Sequence, residues 1–220
     1  MNVLDRQKSI EHLLPNEIEK RSFEIISEEL DHMGVILPED EAMITKRVIH
    51  TSADFEYTKT LTFSKDAVAI AKELIVNGAD IVTDTNMAFS GINKKALSRF
   101  GGEVHCYMAD ETVAKLAKER GCTRATVSME MASEIEKPVI FAIGNAPTAL
   151  IQLYNMMQTK QWKPAFVIGV PVGFVNVEAA KELIMETELP YIVNRGRKGG
   201  SNIAAAICNA LIYELTRNHQ

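Results

Sequence analysis

Residues 138–158, "PVIFAIGNAPTALIQLYNMMQ", decide the fold class of this chain. They begin with a short apolar segment and continue past Gly144 and Asn145 into a helical pattern. A second apolar segment, "PAFVIGV" at 164–170, follows that helix. Strands of a parallel sheet are buried on both faces, so their sequences are continuously apolar rather than alternating. Two such strands joined by a helix predict a parallel strand–helix–strand unit.

The same alternation of strands and helices extends along the chain in both directions. Strands are predicted at Tyr57–Phe63, 79–84, 103–107, 138–145, 164–170 and 191–195. Helices are predicted at Glu17–Met33, Pro38–His50, 64–78, Lys94–Arg99, Glu111–Arg120, 124–135, 146–158, 176–189 and Ser201–Thr216. This order predicts an α/β fold, a single-domain open doubly wound, mostly parallel sheet with helices on both faces. We expect the domain to span residues 1–220, with 1–16 as a less ordered N-terminal arm.

The composition is that of an ordinary soluble globular protein. The chain has 220 residues, of which 46% are hydrophobic, and a formal net charge of −5. This acidic balance disfavours nucleic acid as a partner. Every apolar run falls short of the roughly 18 residues that a membrane span needs. The polar N-terminus is unlike a secretory signal and the three cysteines are widely spaced, so we expect a cytoplasmic location.

Three strand ends in the second half of the chain run into unusual connections: "FAIGNAPTAL" at 141–150, "FVIGVPVGFV" at 166–175 and "YIVNRGRKGGSN" at 191–202. Open parallel sheets bind ligands beyond the carboxyl ends of their strands. Three such loops on one edge favour a binding site over three tight turns. The candidate substrate-binding residues of the first and third loops are Asn145, Thr148, Arg195, Arg197, Gly200 and Ser201.

The third loop, "RGRKGGS" at 195–201, is the most informative, because cationic side chains directly precede a helix. The free N–H groups of a helix start and a guanidinium together bind phosphate or carboxylate. A solvated basic loop before a capped helix is the alternative. Walker A, GxGxxG and GxSxG patterns are absent from the sequence, which disfavours ATP, NAD and a hydrolase. The anion is therefore expected to be a carboxylate of an organic substrate, and no cofactor or metal ligand set is predicted.

The segment "RVIH" at 47–50 places a histidine where a predicted helix ends. Histidine is the side chain that most readily exchanges a proton near neutral pH. Arg47 precedes His50 by three positions and shares its helix face. Such a pair suits an anion site beside a proton donor, and it equally suits compensation of the helix dipole. Arg124, at the start of another helix, opposes that dipole, so it either reaches a ligand or lies on the surface without a role.

Six motifs in order resemble the precorrin-8X methylmutase family, whose anaerobic branch acts on cobalt-precorrin-8 in corrin biosynthesis. They are "RSFEII", "RVIH", "LTFS", "GNAPTAL", "PVGFV" and "RGRKGGS". The resemblance runs from about Ile18 to Leu211, nearly the whole chain. Each motif is weak alone, but six with matching order and spacing are specific.

The resemblance implies an open α/β fold, a homodimer, and a macrocycle bound near the subunit interface. It implies an isomerase that moves a methyl group from C-11 to C-12 of the corrin ring, giving hydrogenobyrinate or cobyrinate. The family's active-site histidine corresponds to His50, and its substrate-binding residues to Ser22, Arg47 and Arg124. The tetrapyrrole carries acetate and propionate side chains, which the arginines suit. Any cobalt belongs to the substrate.

Two other functions remain open at this stage. A non-catalytic tetrapyrrole-binding carrier would need the arginines but not His50. An unrelated nucleotide or sugar-phosphate enzyme is also compatible, because a fold alone does not fix a function. The sequence leaves open whether the natural substrate already contains cobalt.

Overall fold

The computed structural model describes residues 11, 13–159 and 162–217. The α-helices are α1 Pro15–His32, α2 Glu39–Ser52, α3 Tyr57–Thr60, α4 Ala67–Val76, α5 Asn86–Gly91, α6 Lys94–Leu97, α7 Glu111–Arg120, α8 Arg124–Ala132, α9 Pro147–Thr159, α10 Val177–Met185 and α11 Ser201–Arg217. The strands are β1 Leu61–Phe63, β2 Asp80–Thr83, β3 Val104–His105, β4 Val139–Ile143, β5 Phe166–Gly169 and β6 Tyr191–Asn194. A single turn of 3₁₀ helix, Ser98–Phe100, follows α6.

The strands form one sheet in the order β1-β6-β5-β4-β2-β3. All neighbours are parallel except β1, which pairs antiparallel with β6. The central pairing aligns Phe141 of β4 with Val167 of β5 on one side and with Val82 of β2 on the other. Every residue of β2, β4 and β5 is buried. This explains the continuously apolar sequences of β4 and β5, whereas β2 also contains the buried polar residues Asp80 and Thr83.

The two faces of the sheet carry separate hydrophobic clusters, because successive strand residues point to opposite sides. Ile140 and Ile168 pack with α2, α4 and α11 on one face. Phe141 and Val167 pack with α8, α9 and α10 on the other. Burying a side chain such as Phe141 contributes about 1.5–3 kcal/mol to folding. The predicted fold class, an open and mostly parallel sheet with helices on both faces, is confirmed.

The predicted strand Tyr57–Phe63 is wrong in its first half, because Tyr57–Thr60 form the one-turn helix α3. The Tyr57 side chain is buried, and the hydroxyl of Thr58 donates to the carbonyl of Phe55 at 2.7 Å. The hydroxyl of Thr60 lies 3.2 Å from the carbonyl of Glu56 and 2.7 Å from Asn194 Oδ1. The local bond of Thr58 favours a helical turn over an extended chain. Only Leu61–Phe63 pair with β6.

Helix α5 was not predicted from the sequence. Its start is capped by Thr85, whose hydroxyl oxygen accepts the N–H of Ala88 at 3.1 Å. The helix has six residues, too few for the apolar periodicity by which longer helices are recognised.

The chain forms two compact units, residues up to Ile36 and residues from Leu37 onward. The first contains α1, which has Pro15 in its first turn. The second contains the sheet and α2–α11. The predicted domain bounds of 1–220 stay a prediction, and residues 1–10 and 12 of the predicted arm lie outside the described residues. No helix in the described part of the chain has both the length and the apolar character to cross a bilayer.

Candidate active site

The loops after β4, β5 and β6 lie at one edge of the sheet, because the three strands are parallel and in register. Backbone hydrogen bonds join the second and third loops directly. The N–H of Gly200 donates to the carbonyl of Val170 at 2.9 Å, and that of Gly173 donates to the carbonyl of Arg197 at 3.2 Å. The structure therefore assembles the predicted loops into one surface.

The first loop contacts the start of α11 through Gly144. A Cβ atom at Gly144 would lie 2.6 Å from the Cα of Ser201 and 2.8 Å from the carbonyl oxygen of Gly200. Only glycine permits that approach. Asn145 follows directly and is exposed. The structure thus brings Asn145 close to Gly200 and Ser201, three of the predicted binding residues.

Asp84, at the end of β2, is a site residue that the sequence analysis missed. Its carboxylate accepts the N–H groups of Gly144, Asn145 and Ala146 at 2.8, 2.8 and 2.5 Å. Burial raises the pKa of this carboxyl, and the three N–H groups act in the opposite direction. The next residue, Thr85, donates its hydroxyl to Ser201 Oγ at 2.8 Å. An aspartate closing the apolar segment "ADIVTD" was the available signal.

Arg124 and Thr148 come together through Thr123. Thr123 caps α8, accepting the N–H of Thr126 at 3.2 Å, and its hydroxyl donates to Thr148 Oγ1 at 3.0 Å. Arg124 is the first residue of α8, and its side chain is exposed. The Thr123–Thr148 hydrogen bond therefore places the start of α8, where Arg124 is exposed, beside the start of α9.

The cations of the third loop are largely occupied by carboxylates of the chain itself. Lys198 Nζ donates to Asp54 and Glu56, both at 2.5 Å. These bonds raise the pKa of Lys198 and lower that of Asp54. Arg197 Nε donates to Glu178 at 2.8 Å, in a pair whose side chains are 61% and 55% exposed. Exposed pairs contribute about 0–1 kcal/mol, so a ligand carboxylate can replace Glu178 at little cost.

Arg195 is the remaining arginine of this loop, and its side chain is exposed. Its backbone N–H donates to the carbonyl of Thr60 at 2.8 Å, which fixes the start of the loop beside α3.

His50 lies in the last turn of α2 with an exposed side chain. Ala53 ends the helix in the left-handed conformation, with φ of 54°. Asp54 and Glu56 follow and bind Lys198. These ion pairs place the end of the His50 helix beside the basic loop, although 145 positions separate His50 from Arg195 along the sequence.

Arg47 is 7% exposed, and its guanidinium carbon lies 5.5 Å from the centre of the Tyr213 ring of α11. Ser22 lies on α1 in the first unit, where its hydroxyl donates to the carbonyl of Ile18 at 2.9 Å. The substrate contacts expected of both residues stay predictions.

A cavity of about 730 Å³ lies away from these residues, lined in part by Tyr154, Trp162, Ala165, Glu186 and Pro190. Ala165 and Pro190 directly precede β5 and β6, so it opens at the opposite edge of the sheet. None of its lining residues is a predicted site residue. Within the described residues, no three His, Cys, Asp or Glu side chains are grouped to hold a metal ion.

Comparison with known proteins gives a consistent result. The family described as precorrin-8X methylmutase matches residues 17–214. A cobalt-precorrin-8 methylmutase of Salmonella typhimurium is 45% identical over 206 residues, covering 91% of this chain and 96% of that protein. A precorrin-8X methylmutase of Sinorhizobium is 37% identical over 198 residues, covering 89% and 93%.

A solved structure agrees with the fold. The precorrin-8X methyl mutase of Thermus thermophilus superposes with a TM-score of 0.82 at 36% identity, covering 92% of this chain and 98% of that one.

Proposed function

The chain belongs to the precorrin-8X methylmutase family, and we propose that it is the isomerase that moves a methyl group from C-11 to C-12 of a precorrin-8 macrocycle. The product is hydrogenobyrinate, or cobyrinate where the ring holds cobalt. The observation that carries the proposal is the family match over residues 17–214. A carrier role is not favoured, because the relatives are named as methylmutases.

Cobalt-precorrin-8 is the first substrate to test. Two relatives with this name are 45% and 41% identical to the chain, and others with this name are 37% and 36% identical, as are two precorrin-8X methylmutases. The cobalt is part of the substrate in this proposal. Moving a methyl group within one molecule conserves electrons, so the reaction calls for no redox cofactor.

His50 is the proposed proton donor. Its exposed side chain lies in the last turn of α2, and Asp54, four positions further on, binds Lys198 of the loop that carries Arg195 and Arg197. A proton or hydrogen bond given to the ring near the migrating carbon would polarise the conjugated system and favour the rearranged tautomer. General acid catalysis of this kind accelerates reactions by about 10²–10⁴-fold.

The acetate and propionate side chains of the substrate bind the loop edge. Arg195, Arg197 and Arg124 offer exposed guanidinium groups, and the start of α11 offers N–H groups. Arg197 exchanges Glu178 for a substrate carboxylate. The other proposed binding residues are Ser22, Arg47, Asn145, Thr148, Gly200 and Ser201.

The ring faces an apolar wall after β5. Val172, Phe174 and Val175 are 47%, 82% and 78% exposed, which is unusual for large apolar side chains on a water-facing surface. We expect the macrocycle to cover part of this wall.

The proposal is tested by a visible-absorption time course with cobalt-precorrin-8 and, separately, with the metal-free substrate. We expect the wild-type protein to convert one of them, with the methyl position of the product confirmed by NMR. His50→Ala should lower kcat by about 10²–10⁴-fold. His50→Gln keeps a hydrogen-bond donor but cannot transfer a proton, so it separates the two roles.

His32→Ala is the matched control, because His32 is also an exposed histidine in the last turn of a helix. Conversion at the wild-type rate by His50→Ala would leave the isomerase without its proposed proton donor. Binding of the pigment without conversion by any variant would support the carrier function instead.

The sequence leads to three further expectations for this protein: a homodimer, a cytoplasmic location, and no nucleic-acid partner. Each of them stays a prediction. The homodimer bears directly on the site, because the family resemblance puts the macrocycle near the subunit interface.

A further inference from the structure

Lys181 is completely buried on α10, at 0% exposure. Its neighbours on the same face of the helix, Val177, Ala180 and Ile184, are buried apolar residues. Burying an ammonium group is unfavourable unless hydrogen bonds compensate it. The surroundings of position 181 suit an apolar side chain such as leucine or methionine. A lysine there therefore requires hydrogen-bond acceptors for its ammonium group.

The partners of Lys181 are backbone carbonyls of the loop between β6 and α11. Lys181 Nζ donates to the carbonyl oxygen of Gly196 at 2.7 Å and to that of Lys198 at 2.8 Å. Asn194 Nδ2 also donates to the Lys198 carbonyl, at 2.9 Å. Burial lowers the pKa of Lys181 to about 8, which reflects the unfavourable desolvation of the ammonium.

The outer surface of the same loop carries the cations of the candidate site. Gly196 and Lys198 flank Arg197, so the two carbonyls held by Lys181 lie on either side of that arginine. The side chain of Lys198 binds Asp54 and Glu56, which follow the His50 helix. The position of this loop backbone therefore sets where its guanidinium groups lie and what the end of α2 contacts.

We propose that Lys181 is a positioning residue for the methylmutase reaction, holding residues 195–200 from beneath in the shape that presents Arg195 and Arg197 to the substrate's carboxylates. This role rests on the proposed function. A methionine at 181 would preserve most of the packing of α10, but the Gly196 carbonyl would lose its donor and the Lys198 carbonyl would keep only Asn194 Nδ2. The loop would then rearrange, and the arginines would move with it.

The first test measures steady-state kinetics of Lys181→Met with the tetrapyrrole substrate. Because the loop binds carboxylates that do not react, we expect KM to rise by about tenfold or more while kcat changes by less than about threefold. Lys72→Met is the matched control. Lys72 lies on α4, on the other face of the sheet, and is paired with Glu214 at 2.5 Å.

A double-mutant cycle with Arg197→Ala tests whether Lys181 acts through the loop. If it does, the fold increase in KM of the double variant should be well below the product of the fold increases of the two single variants. Substitutions that disturb the same loop are not additive in free energy. The proposal would be overturned if the fold increases in KM of the two single variants multiply in the double variant and the hydrogen exchange of the loop in Lys181→Met is that of the wild type.

The second readout does not depend on activity. The amides of Gly200 and Gly173 are hydrogen-bonded only while the loop keeps its shape against the segment after β5. We expect their hydrogen exchange to be faster in Lys181→Met and unchanged in Lys72→Met. If the wild-type protein fails to isomerise its substrate, the proposed function fails, and the exchange data still decide whether Lys181 holds the loop.

Wild-type KM and wild-type exchange in Lys181→Met would overturn the proposal. So would equal losses of activity and of melting temperature in Lys181→Met and Lys72→Met, because that outcome describes a general stability effect. Lys181→Gln, which keeps two N–H donors, replaces the methionine variant if that protein does not fold. Its KM should be higher than that of the wild type and of Lys72→Met. It should be lower than that of Gly199→Ala, a substitution whose Cβ atom would collide with the Val170 carbonyl and displace the loop.

Discussion

Asp84 lies at the carboxyl end of β2, where its carboxylate accepts the N–H groups of three successive residues of the loop after β4. The N–H group of Gly144 is buried and those of Asn145 and Ala146 are partly buried, so without Asp84 all three would lose their partner at the turn from strand to helix. The carboxylate thereby fixes the direction in which Asn145 leaves the sheet. A charged side chain inside the fold is explained here by backbone geometry.

We expect Asp84→Asn to lower the free energy of unfolding by about 1–3 kcal/mol, because one amide oxygen cannot serve three donors. Urea unfolding measures the loss. Asp110→Asn is the matched control, since Asp110 also accepts two backbone N–H groups, at 2.7 and 3.3 Å, at the start of α7. Asp110 is only partly buried, so water can replace it, and its loss should be no more than about 1 kcal/mol. Equal losses in the two variants would contradict the role of burial at Asp84.

Single residues differ in how far the sequence could predict their surroundings. Arg197 was predicted as a cation at a loop before a helix, because its neighbours in the sequence define that setting. Its partner Glu178 lies 19 positions away, on a different element. That pairing follows from the packing of α10 against β6, which no local pattern contains.

The loop between β6 and α11 is the element on which the candidate site most depends, and Gly199 is its most constrained residue. Gly199 has φ of 156°, and a Cβ atom there would lie 2.0 Å from the carbonyl oxygen of Val170. That same carbonyl accepts the N–H of Gly200. Any side chain at 199 must push the loop away from the segment after β5.

We expect Gly199→Ala to raise KM for the tetrapyrrole by about tenfold or more, because the arginines of the loop are displaced. Gly196→Ala is the matched control in the same loop. Gly196 has φ of 71°, but a Cβ atom would meet nothing within 4 Å. It should cost only about 1–2 kcal/mol of stability for the left-handed conformation, with KM close to wild type. Steady-state kinetics and thermal melting of both variants test this prediction. A larger increase in KM for Gly196→Ala than for Gly199→Ala would contradict it.

Elements with a strong apolar periodicity could be predicted, whereas short elements were predicted unevenly: α6 and β3 were predicted, α5 was not, and α3 was predicted as a strand. Helix α7 has its predicted limits, and α10 begins one residue after its predicted start but ends at Met185, four residues before its predicted end. Helix α3 was predicted as a strand, because Phe55, Tyr57, Lys59 and Leu61 alternate along the sequence as in a strand. The hydroxyl bond of Thr58 and the burial of Tyr57 decide for a helical turn.

At the scale of the whole molecule, the wall formed by Val172, Phe174 and Val175 is a large apolar surface left exposed in a single chain. Together with the family resemblance, it leads us to expect a homodimer whose subunits meet near this wall. Sedimentation or light scattering at micromolar concentration should give twice the mass of one chain.

Val172→Ser should weaken the dimer, whereas Val76→Ser should not. The two valines are almost equally exposed, at 47% and 48%, but Val76 lies on α4 away from the loops. Removing apolar contact area from an interface weakens association, and removing it from free surface does not. A single-chain mass for the wild-type protein would contradict the expectation, as would equal effects of the two substitutions.

The sequence by itself determined the parallel α/β class, the three loops that meet at one edge of the sheet, and the residue types that these loops carry. These properties follow from local apolar periodicity and from the rule that parallel strands end at a common edge. Only the tertiary structure decided that Lys198 links the basic loop to the end of the His50 helix, that Asp84 holds the loop after β4, and that Lys181 lies beneath residues 195–200. Each of these contacts joins residues far apart in the chain, through hydrogen bonds whose partners are set by how helices pack on the sheet.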